Sequence, residues 1–102
     1  MKTSKATATV PALSEFDAAE YLDNPEAIAA YLSDALESND QAQITQALGT
    51  VAKAVGMSSI AKQAKLGRES LYKALGSSGN PSFDTVLRVL NALGVRLVAK
   101  AA

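Results

Sequence analysis

The fold turns on one stretch, Ser58-Ser59-Ile60-Ala61-Lys62-Gln63-Ala64-Lys65-Leu66-Gly67-Arg68-Glu69-Ser70-Leu71-Tyr72-Lys73-Ala74-Leu75. Two short helices that cross steeply need a small residue at the crossing, and Ala61 supplies it. A tight turn must follow within a few residues, which Lys65-Leu66-Gly67 provides. The second helix then needs a buried apolar residue ten positions beyond the small one, and Leu71 stands there. Ile60, Ala64, Leu66, Ala74 and Leu75 complete the packing side. The pattern predicts a helix capped by Ser58 and running to about Ala64, then a second from Arg68 to Leu75: a helix-turn-helix.

Arg68, Glu69, Ser70, Tyr72 and Lys73 are left on the outer side of the second helix. In a helix-turn-helix that side enters the major groove of DNA. Arg68, at the start of the helix, has the fork geometry for a bidentate contact to guanine, and Glu69 can accept from cytosine. Ser70, Tyr72 and Lys73 can reach bases or phosphates, Ser59, Lys62 and Gln63 on the first helix are better placed for the backbone, and Lys65 in the turn is a further DNA-binding candidate. The competing explanation is an ordinary helical hairpin with a solvated polar face, because this spacing alone is a weak pattern.

Working outward, Asn80-Pro81 predicts a helix to about Leu93, with Phe83, Val86, Leu87, Leu90 and Leu93 inward and Gly94 as its stop. Gly76-Ser77-Ser78-Gly79 reads as a flexible link. Val95 to Ala99 alternates as a short strand would, and needs a partner. Upstream, Asp40 with Gln43 has capping-box spacing before a helix to about Val55, which places Ile44, Ala47, Leu48, Val51, Ala52 and Val55 on the core face. Gly56 ends it as a left-handed cap. Asn24-Pro25 starts a helix to about Glu37 with Ile28, Tyr31, Leu32, Ala35 and Leu36 on one face. Asp17 and Glu20 have the spacing to cap a single turn through Leu22. Residues 1–13 read as a loose tail and 14–39 as an acidic helical segment. The expected class is all-α, with five to six helices and a short C-terminal strand.

The 102 residues carry a formal net charge of zero that conceals a division. Up to residue 49, two lysines face eight carboxylates, a net −6; from residue 50 on, eight cations face Glu69 and Asp84, a net +6. The basic half contains the helix-turn-helix, as a polyanion-binding face requires. The sequence has no Cys and no His, so disulfides, thiolate metal sites and the commonest general base are excluded. Ser70 and Tyr72 have no histidine to activate them, and we expect no enzyme, cofactor or metal. No apolar run approaches a membrane span, and residues 1–12 lack the apolar centre of a signal peptide, so a cytoplasmic protein is expected.

The runs Ala47-Leu48-Gly49, Gly56 to Ala61, Leu66 to Leu75 and Gly79-Asn80-Pro81-Ser82-Phe83 closely resemble addiction-module antidote proteins: HigA-like antitoxins with a Cro/repressor-type (Xre-like) DNA-binding domain. Phe16 to Leu22 and Ala29-Ala30-Tyr31-Leu32 resemble that family's N-terminal segment, so the likeness covers about residues 14–98. It implies a partner toxin of the RelE/ParE type (HigB-like), repression of a shared operon, and a Cro/repressor-type region over residues 40–102. By match to the motif, Arg68, Ser70, Tyr72 and Lys73 would read DNA. Two positions depart from the pattern. Gly67 replaces the usual Ser cap, at a cost of a few tenths of a kcal/mol. Lys65 stands where Gly is favoured in the turn, and a left-handed lysine costs about 1 kcal/mol.

The expectation is an antitoxin that binds double-stranded operator DNA as a homodimer, since symmetric operators favour a twofold protein. Its acidic half suits a basic toxin, with Phe16, Tyr21, Leu22 and Tyr31 as candidate contacts or, alternatively, core residues. A stand-alone phage-type repressor without a toxin and a purely protein-binding adaptor remain as alternatives.

Overall fold

The computed structural model describes residues 20–102, and Phe16, Asp17 and the tail lie outside them. Glu20 and Tyr21 are helical. Five helices follow: α1 Pro25–Glu37, α2 Gln41–Val55, α3 Met57–Ala64, α4 Arg68–Ala74 and α5 Phe83–Ala92. The class is all-α.

Local chemistry sets the first two helices. The Asn24 side chain accepts from the Ala27 amide at 2.8 Å, with Pro25 next in the chain. Asp40 caps α2 by accepting from Ala42 and Gln43 amides at 2.9 and 3.4 Å. Gly56, at φ +126° and ψ +108°, ends α2 and also caps α3. It lies outside the left-handed helical well, but its positive φ still favours glycine. Because one residue serves both helices, Ser58 falls inside the first turn of α3 and is not its cap.

The start of α5 differs from the sequence expectation. Ser82, not Asn80, caps it, accepting from the Thr85 amide at 3.1 Å. Asn80 instead accepts from the Gln41 side chain at the head of α2. Val89 and Leu90 point inward, whereas Phe83 and Leu87 are exposed. Both helical registers satisfy a three-and-four spacing; packing against α3 selects the one centred on Val89. Leu36 and Val55 likewise stand partly in solvent at the edges of their helices.

The core is one cluster in which Val51, Ala52, Ile60 and Val89 have no accessible surface. Helix α3 is its hub, packed against α2, α4 and α5, while α1 covers α2. Past α5, Gly94 at φ +76° turns the chain, and the Val95 amide donates back to the Leu90 carbonyl at 3.0 Å. Residues 95–100 then run on without regular structure. The expected strand is absent among the described residues: its alternating pattern finds no ladder there to join.

Candidate nucleic-acid interface

Helices α3 and α4 meet as the spacing requires. Ala61 is buried on the α3 side, and Leu71 has 1% of its surface accessible. Burying a leucine stabilises by about 1.5–3 kcal/mol, enough to fix which side of the seven-residue α4 faces in. Leu75 is buried behind it, and Leu66 packs against the same cluster.

The turn between them is a complete left-handed helix end. Lys65 has φ +59° and ψ +45°. Its amide donates to the Lys62 carbonyl at 3.2 Å, and the Leu66 amide reaches back to Ala61 at 2.9 Å. A lysine in this well costs about 1–2 kcal/mol. Gly67 is extended and makes no side-chain cap.

With Leu71 inward, Arg68, Glu69, Ser70, Tyr72 and Lys73 are all exposed on α4. The Arg68 guanidinium lies 5.2 Å from the centre of the Tyr72 ring, one turn along. An exposed cation–π contact of this kind contributes about 0.5–1 kcal/mol and holds the arginine against the helix. On α3, Ser59, Lys62 and Gln63 are exposed, as is Lys65 in the turn, and Gln63 donates to Ser59 at 3.3 Å. All nine residues expected from sequence therefore lie on the solvent side of one two-helix unit.

Two neighbouring features were not legible in sequence. A cavity of about 660 Å³ beside the end of α4 is lined by Thr50, Lys53 and Ser77 among others. Only the close approach of Leu75 to Gly49 brings α2 there: a Cβ on Gly49 would stand 2.9 Å from the Leu75 carbonyl oxygen. The link after α4 is also not the loose one expected. The Gly79 amide donates to Gly76 at 2.9 Å, and a Cβ on Gly79 would stand 2.1 Å from the Ala74 carbonyl oxygen.

Residues 12–101 match the family described as "probable addiction module antidote protein". The chain belongs to this family. An uncharacterized protein of Haemophilus influenzae (strain Rd) is 45% identical over 84 residues, covering 82% of this chain and 87% of its own. No solved structure matches it.

For an antidote-family chain, the N-terminal candidates for partner contact need correction. Leu22 and Tyr31 are buried in the core with Ile28, Leu32 and Ala35, so their apolar bulk packs α1 against the body. Phe16 lies outside the described residues. Tyr21, 53% exposed, stands in a stretch of sequence in which Glu20, Asp23 and Glu26 are also exposed. Among the described residues no helix is long and apolar enough to cross a membrane.

Proposed function

We propose that the chain is the antitoxin of a type II toxin-antitoxin module: it binds operator DNA through α3 and α4, represses its own operon, and neutralises a RelE/ParE-type (HigB-like) toxin by direct contact. The observation that carries the DNA half is the division of α4, whose one large apolar residue is buried while every charged side chain is outward. Arg68 would reach base edges with its plane steadied by Tyr72, and Ser70, Tyr72 and Lys73 would follow it into the groove. Lys62, Ser59, Gln63 and Lys65 would hold the phosphates, with Thr50, Lys53 and Ser77 extending the track past the end of α4. The unit is thus read as a Cro/repressor-type, HigA-like domain, working in the cytoplasm by binding rather than catalysis.

The toxin half rests on the family and on charge. The segment before residue 50 is strongly acidic, and an enzyme that attacks nucleic acid carries a cationic surface. Tyr21 and the carboxylates of α1 are the surface offered to it.

A gel-shift series with DNA from upstream of the gene, with and without the product of the adjacent reading frame, tests both halves. A specific shift at physiological salt and a stable complex with the neighbouring product are expected. Binding of random DNA with equal affinity would refute operator recognition, and a neighbouring product that never binds would leave a stand-alone repressor.

A further inference from the structure

Helix α5 carries an apolar surface that the described residues leave uncovered. Phe83 is 67% exposed and Leu87 42%, and the two stand one turn apart on the same side of the helix. At the head of a ten-residue helix, the described residues leave most of the Phe83 surface in water. The patch continues inward: Phe83 forms the rim of a shallow groove of about 430 Å³ whose apolar wall includes Ile44, Leu48, Pro81 and Val86.

Charges beside the patch specify what covers it. Asp84 and Arg88 flank Phe83 and Leu87 on one side, one turn apart, and pair with each other at 3.0 Å. When two copies of a helix pack antiparallel about a twofold axis, each flank meets the same flank of the other copy. Phe83 then falls opposite Leu87 of the second copy, and Asp84 opposite its Arg88. The surface is complementary to itself, in apolar contact and in charge, only in that orientation. A parallel pair would abandon the charge match.

We infer that the outer face of α5, centred on Phe83 and Leu87 and bordered by Asp84 and Arg88, is the interface through which two copies of this chain associate, with the α5 helices antiparallel. This deepens the proposed operator binding, for which the sequence leads us to expect a homodimer, and rests on that expectation alone. Arg88 also donates to the Ala64 carbonyl at 3.4 Å, at the end of α3, so the interface is tied directly to the helix-turn-helix. A single helix pair makes a small contact area, and the association is therefore of the weak class, populated at high micromolar concentration.

Sedimentation equilibrium of the full chain without DNA tests this independently of any operator. The wild type should be dimeric at high micromolar concentration. Phe83→Ser should be monomeric while its circular dichroism, and its melting temperature in dilute solution where the wild type is also monomeric, stay unchanged, because the ring is mostly in solvent in the monomer. Asp84→Arg alone and Arg88→Asp alone should each be monomeric, since each sets like charges against each other across the axis. Mixing those two variants should restore a dimer, because one then carries two cations and the other two carboxylates. A monomeric wild type, a dimeric Phe83→Ser, or no association on mixing folded Asp84→Arg and Arg88→Asp would each overturn the inference. Failure of the operator gel shift would leave these results untouched.

Discussion

Helices α4 and α5 are both short, both pack against α3, and leave opposite kinds of surface behind. The outer side of α4 is polar and mostly charged, with its one large apolar residue, Leu71, buried. The outer side of α5 keeps Phe83 and Leu87 in solvent beside a matched pair of opposite charges. Exposed polar groups are ordinary on a protein surface, and the α4 face gains meaning only on the proposed helix-turn-helix reading, within the basic half of the chain. A single exposed apolar residue is ordinary, but Phe83 and Leu87 lie one turn apart and form a patch, which is informative. On the proposals above, one helix would face a polyanion and the other a copy of itself.

The sharpest way to break this contrast is to remove the anchor of α4. Leu71→Ala leaves a cavity in a site with 1% exposure, and should cost about 2–5 kcal/mol. Thermal or urea unfolding would read this directly. A loss below about 0.5 kcal/mol, the range of ordinary surface changes, would mean that α4 is not oriented by that residue.

Next in size is a change on the outer side of the same helix. Arg68→Ala should leave stability unchanged while weakening the cognate site by about 1–3 kcal/mol and relaxing base preference at one position. Gel shifts against a panel of operator variants would check it. A smaller effect should appear in the turn. Lys65→Gly relieves a left-handed lysine and should stabilise by about 1 kcal/mol, less the entropy glycine loses on folding. Unchanged or reduced stability would show that the turn is not strained.

The smallest expected effect is the mirror image of the first. Phe83→Ser should alter monomer stability by no more than about 0.5 kcal/mol, although it removes a larger side chain than Leu71→Ala does. The unfolding of a dilute sample, below the range of association, is the test. A loss as large as that of Leu71→Ala would place Phe83 in the core and end the comparison.

Much of this was legible in the residues. The bounds of α1 and α2 follow from Asn24-Pro25 and Asp40, since a side-chain cap and a proline act locally and need no tertiary partner. Ala61 and Leu71 are buried and Lys65 is left-handed, as the spacing predicts for two short helices joined by a tight turn. Where tertiary contact decides, the sequence was insufficient. Asn80-Pro81 carries a helix-start signal, but Asn80 is engaged by Gln41 and the cap passes to Ser82. The register of α5 depends on what α3 offers it, so Val89 displaces Phe83 and Leu87 from the inner face. Leu22 and Tyr31 read equally as contacts or as core, and only packing separates those roles. The alternating residues Val95 to Ala99 supply strand propensity without a neighbouring strand among the described residues.

The account depends most on the outer face of α4 distinguishing one DNA sequence from another. Gel-shift competition of Arg68→Ala and Lys62→Ala between the upstream operator and random DNA, over a range of salt, tests it most directly. Arg68→Ala should lose affinity for the operator alone. Lys62→Ala should lose affinity for both DNAs alike and flatten the salt dependence by about one counterion. Equal losses on both DNAs for both variants, or no loss for either, would contradict it.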